Sequence, residues 1–226
     1  MQPQPYQVPT TGYDVPPGAP RARALRVPAS LAVLGLGLAI AMNAIDTVAR
    51  PLFVVGARGA DRAMIDNLAA IEALLIIVTY LFTAVAFITW TYLARGNIER
   101  WAIGGLGWGP GWAIGGWFIP IANLVIPKLV MDAVHSGSEV PPDAHWSERR
   151  SSGLVTGWWV TLVVAGIAAN AYARLGVEAT GTVAGVTAFN AVSTVLYMIS
   201  GVLAIALVRR VTALQEARQA ALDARR

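Results

Sequence analysis

Two carboxylates and three carboxamides interrupt otherwise apolar runs of this chain: Asp46 and Glu72, with Asn43, Asn170 and Asn190. Surrounded by hydrocarbon, such groups are costly unless paired or hydrated, so they are the first candidates for chemistry. In the four-span arrangement derived below, all five fall in the outer half of their helices. Together they would form a polar vestibule able to bind a cation or a small polar ligand. A packing reading stands beside that one: Asp46 pairs with Arg50 one turn on, Glu72 sits at the interface, and the three Asn residues hold helices together. Ser193, Thr194, Tyr197 and Gly201 follow Asn190 at spacings of 3, 4, 7 and 11 residues, on one helical face. Glu72, Thr79 and Thr83 do the same on a second helix. Gly37/Ala41, Gly153/Gly157 and Ala169/Ala173 are small-residue pairs suited to close helix contact.

Other chemistry is sparse. His135 and His145 lie outside the apolar runs, so neither can ligate a haem within a span. HSGSEVPPDAH, which contains both, has no metal-ligand spacing. The absence of cysteine removes disulfides and thiolate sites. H-E-x-x-H, G-x-S-x-G, the phosphate-binding loop and the EF-hand pattern are all missing. No catalytic residue, metal site or cofactor is therefore expected, and no enzymatic role.

The elements that position these residues follow from hydropathy. The chain has 226 residues, 56% hydrophobic and 13% charged, half the charged share of a typical soluble domain. Uncharged stretches are concentrated at 28–49, 67–92, 153–173 and 182–208. Each reaches the roughly 20 residues that a helix needs to cross about 30 Å of hydrocarbon. The fold class expected is an all-α integral membrane protein with four spans, the membrane domain occupying 28–210. Residues 1–27, rich in Pro and Gln and including Tyr6 and Tyr13, read as a disordered cytoplasmic tail. Residues 211–226 should extend the fourth helix into the cytoplasm as a solvated helix with a weak apolar stripe.

The stretch RWAIGGLGWGPGWAIGGWFIPIANLVIPKLVMDAV, residues 100–134, is apolar yet carries seven glycines and three prolines. Cation placement decides whether it crosses. If it does not, 13 of the 17 Lys and Arg residues lie on one side, against Arg50, Arg58, Arg62 and Arg174 on the other. If it does, the split becomes 6 against 11. Lys and Arg are retained in cytoplasmic loops, so the non-crossing form with both termini cytoplasmic is the better reading. The repeated WAIGG, at Trp101–Gly105 and Trp112–Gly116, is broken by Gly109-Pro110-Gly111, which a continuous helix would not accommodate. An interfacial or re-entrant Trp/Gly/Pro-rich element over about 101–136 is expected. A short helix from Pro127 should place Lys128 and Asp132 one turn apart.

The text Gly116-Trp117-Phe118-Ile119-Pro120-Ile121-Ala122-Asn123-Leu124, followed by Pro127, resembles a bacterial, chiefly actinobacterial, membrane family termed domain of unknown function 4328. Its pattern runs from a Gly-Trp block into W-F-x-P-x-x-N-L-x-x-P. TYLARGNIERW (91–101) is similar to the family's basic stretch after the second helix, and the likeness covers about 67–210. The resemblance implies a multi-span plasma-membrane protein, assigns Gly116, Trp117, Phe118, Pro120, Asn123 and Pro127 to the family motif, and brings no activity with it.

Three functions remain open on these grounds. The first is a non-catalytic protein that organises lipids or partners through the Trp-rich element and basic flanks, whose arginines would meet anionic head groups. The second is a small transporter or channel using the outer polar cluster. The third is an envelope enzyme. A homo-oligomer or protein partner is compatible with each, and nothing in the sequence points to nucleic acid.

Overall fold

The computed structural model describes residues 21–56, 61–101, 107–139, 151–180 and 183–224. The remaining residues, which include Tyr6, Tyr13, Arg58 and His145, lie outside the described part. Helix α1 spans Arg26–Gly56, α2 Arg62–Arg100, α3 Trp112–Gly115, α4 Ile126–Glu139, α5 Gly153–Thr180 and α6 Val183–Asp223. No strand occurs among the described residues. Helices α1, α2, α5 and α6 are long and apolar enough to span a membrane.

The connections dictate the packing. Only residues 57–61 separate α1 from α2, and 181–182 separate α5 from α6, so each pair must run antiparallel side by side. The Asp61 carboxylate caps α2, accepting from the Ala63 amide at 3.1 Å. Helix α1 also packs on α6, giving a row in the order α2, α1, α6, α5. Among the described residues the row does not close along its length, and α2 and α5 approach through Phe87 and Trp158, whose ring centroids lie 5.7 Å apart.

The tight core is at one end. Trp90, Ala94 and Ile98 of α2 pack there with Val130 and Val134 of α4, Val155 of α5, and Leu207 and Val211 of α6. This is the end that carries Arg23, Arg95, Arg100, Arg209 and Arg218. Toward the opposite end α2 presents its aliphatic side chains outward; Leu81 is 65% exposed. A helix apolar all round is matched to lipid, which explains a surface that water would not tolerate.

The stretch after α2 starts and finishes at the arginine-rich end, as the cation tally requires. It enters as far as Trp117, which lines a space with Phe87 and Trp158. Phe87 is eight residues, or roughly 12 Å, before Arg95 along α2. Its turn exposes apolar side chains, with Phe118 at 75% and Ile121 at 83%. The element is therefore a hairpin that turns back beside α2 and α5 without crossing to the other end. Helix α4, which returns from it, is buried against α2, α5 and α6. Pro127 sits in its first turn, where a missing amide hydrogen costs nothing.

Three boundaries differ from expectation. Helix α1 continues through Pro51 to Gly56, beyond the 28–49 span, because a lost hydrogen bond is tolerated in a long membrane helix. The segment from Arg21 belongs to the packed structure, since Leu25 is buried in the core. Residues 211–223 are not a solvated tail, because Val211, Thr212 and Gln215 are buried.

Candidate functional site

Packing of α1 and α6 between the unclosed flanks leaves a cavity of about 530 Å³. Phe87, Trp117 and Trp158 form its floor, and Leu36, Ile40, Leu162 and Ala204 supply aliphatic wall. Its polar lining is Asn43, Tyr80, Thr83, Tyr197 and Ser200, with no charged side chain among the described residues. Asn43 Nδ2 donates to the Ala39 carbonyl at 2.7 Å and to the Tyr80 hydroxyl at 2.8 Å, tying α1 to α2. Thr83 Oγ1 donates to the Thr79 carbonyl at 2.7 Å. Ser200 Oγ donates to the Trp158 carbonyl at 3.3 Å, joining α6 to α5.

Of the five polar residues singled out from sequence, Asn43 lines this cavity. Asn170 is exposed, and its side chain donates to Gly166 of its own helix at 2.9 Å. Asp46, Glu72 and Asn190 are half-buried and do not line the cavity. The outer vestibule reduces to one carboxamide with two neighbouring phenols. The α6 stripe does turn inward. Ser193 Oγ donates to the Ala165 carbonyl at 3.1 Å, and Tyr197 and Gly201 border the cavity.

The motif residues acquire distinct roles. A Cβ on Gly116 would stand 2.7 Å from Ile126 Cγ2 and 2.8 Å from the Trp112 carbonyl, so glycine lets the two arms of the hairpin close. Trp117 is the floor of the cavity and stacks edge-on against Trp159 at 6.0 Å. Phe118 points outward, Pro120 lies in the exposed turn, and the Asn123 amide donates to the Ile119 carbonyl at 2.7 Å. Lys128 and Asp132 meet at 2.6 Å, with Ser151 donating to the same carboxylate at 2.9 Å.

A second polar assembly, not anticipated from sequence, locks the arginine-rich end. Gln215 Nε2 donates to the Ala94 carbonyl at 3.1 Å and to Ser138 Oγ at 3.0 Å. Gln215 Oε1 accepts from Asn97 Nδ2 at 3.1 Å. Asn97 also grips the chain ahead of α1, accepting from the Arg23 amide at 2.7 Å and donating to the Arg23 carbonyl at 2.9 Å. Trp90 Nε1 donates to Thr212 Oγ1 at 3.1 Å. One carboxamide pair thus joins α2, α4, α6 and the segment before α1. A signal for it existed. Ala204, Leu207, Val208, Val211, Thr212 and Gln215 recur at helical spacing, so the buried face of α6 runs past Arg209 and Arg210.

His135 is buried beside this assembly, with Nδ1 3.2 Å from Glu139, which also pairs with Arg210. Burial pushes its imidazole below the usual histidine range; Glu139 opposes that shift and Arg210 adds to it. No group of three or more metal-ligating side chains occurs among the described residues.

The sequence model of a family described as "Domain of unknown function (DUF4328)" matches residues 58–213. That match takes in α2, the hairpin after it, α4, α5 and most of α6. No curated protein and no solved structure matches the chain.

Proposed function

The chain belongs to the family of that domain of unknown function (DUF4328), so its role must be argued from its own geometry. From that starting point we propose a non-catalytic, lipid-interacting protein of the cell membrane that takes part of a membrane lipid into its interior. One observation carries the reading: the cavity is lined by all four long helices, and among the described residues α2 and α5 approach through Phe87 and Trp158, leaving it open sideways beyond that contact. Its lining is largely apolar and aromatic, which suits hydrocarbon, and among its described residues no nucleophile stands beside a base. Exposed Arg209, at the arginine-rich end, is placed to meet anionic head groups.

In this reading the arginine-rich end faces the cytoplasm, supported by the 13-to-4 distribution of cations. The chain lacks cysteine, so single labels report the sides directly. Ala224→Cys should react with an impermeant maleimide only after cells are opened, and Ala63→Cys in intact cells; the reverse pattern would invert the topology. For occupancy, protein extracted in mild detergent should show a one-lipid adduct in its native mass spectrum. Ala84→Trp, which fills the cavity from α2, should remove it. A wild-type protein that carries no lipid, or a filled variant that keeps it, refutes the role.

A further inference from the structure

The cavity's hydrogen-bond ledger identifies what kind of lipid fits. Thr83 and Ser200 direct their hydroxyl protons to backbone carbonyls, as described, and Asn43 gives one N–H to its own helix and another to Tyr80. The Tyr80 oxygen is the acceptor in that bond, and no described residue accepts its own proton. The Tyr197 hydroxyl stands at the α5 side, 3.6 Å from where a Cβ on Gly166 would lie, and among the described residues no side chain or carbonyl bonds to it. Two phenolic donors therefore border one apolar cavity from α2 and α6. In a medium without bulk water, a donor with no acceptor is a standing cost.

Charge narrows the choice. No Lys, Arg, His, Asp or Glu lines the cavity among its described residues. A phosphate or ammonium group drawn in would lose its hydration with no counter-charge to replace it. Aromatic rings form the floor, at Phe87, Trp117 and Trp158, and about 530 Å³ matches one ring system or a chain segment, not a whole phospholipid.

We infer that the cavity selects a neutral lipid that presents a carbonyl oxygen to Tyr80 and Tyr197 while its apolar body lies on the Phe87–Trp117–Trp158 floor. This rests on the lipid-interacting reading and adds the ligand class to it. The same chemistry has two membrane sources, an isoprenoid quinone ring and the ester carbonyl of a diacylglycerol.

Delipidated protein in neutral detergent, titrated separately with an isoprenoid naphthoquinone, dioleoylglycerol and dioleoylphosphatidylglycerol and read by native mass spectrometry, tests it. The naphthoquinone, the diacylglycerol or both should bind, and better than the phospholipid; comparing the first two arms tells which carbonyl source is used. Removing both donors in Tyr80→Phe/Tyr197→Phe, which keeps the rings and the volume, should weaken that binding about tenfold or more. Equal or tighter binding of the phospholipid overturns the inference, as does neutral-lipid binding unchanged in the double variant; either result leaves lipid occupancy standing. If none of the three binds, the lipid-interacting reading itself falls with it.

Discussion

Gln215→Leu is expected to lower the free energy of unfolding by about 3 kcal/mol, although leucine nearly matches glutamine in size. The residue is 2% exposed and makes three hydrogen bonds to two other elements, α2 and α4. Leucine removes all three and leaves one Asn97 N–H buried without an acceptor. Orphaning a buried donor costs more than the net value of the bond that satisfied it. Ser138 is less affected, because its hydroxyl still donates to the Val134 carbonyl at 2.7 Å. The measurement is the unfolding midpoint in mixed micelles, followed by tryptophan emission. Adding Asn97→Leu should cost less than the sum of the two single changes, since it removes the orphan that the first created. Strict additivity, or no change in midpoint for Gln215→Leu, would show that the assembly does not hold this end together.

Gly35→Leu should be as damaging by another route. A Cβ there would lie 2.9 Å from both Cα and Oγ1 of Thr83, and 3.2 Å from a Phe82 ring carbon. The backbones of α1 and α2 touch at this crossing, so nothing flexible can yield, and the helices must separate. Overpacking of that kind costs about 1–3 kcal/mol, more where backbone is the obstacle. Gly37→Leu is the internal control, because nothing lies within 4 Å of its added carbon, and it should leave the midpoint unchanged. Thr83 lines the cavity, so Gly35→Leu should also reduce lipid occupancy. Equal behaviour of the two variants would refute the crossing.

That comparison shows where sequence reasoning stops. The Gly37/Ala41 spacing has the form of a packing pair, yet Gly35, two residues earlier and nearly opposite on the helix, makes the contact. Spacing reveals a small face; only the partner's position says which face is used. Hydropathy and cation placement, by contrast, were sufficient for four spans and for a central element that returns to the end it left, because both follow from solvation of whole segments. Asn97 was hidden for a local reason. It sits in ARGNIER among charged neighbours and reads as exposed, while its partner lies 118 residues away. Asn170 gave the opposite impression, since a lone carboxamide in an apolar run suggests a site, and its own helix satisfies it at 2.9 Å. Asn43 differs only in having Tyr80 across the interface.

The grip of Asn97 on Arg23 has a mechanical side. The described chain begins at Arg21, just ahead of that two-bond clasp, with Gln219 holding the adjacent Ala22 amide at 3.0 Å. Tension applied at Arg21 therefore passes to Gln219 and then to the carboxamide that also latches α2 to α6, before α1 feels it. The clasp on Arg23 and the lock between α2 and α6 share one side chain.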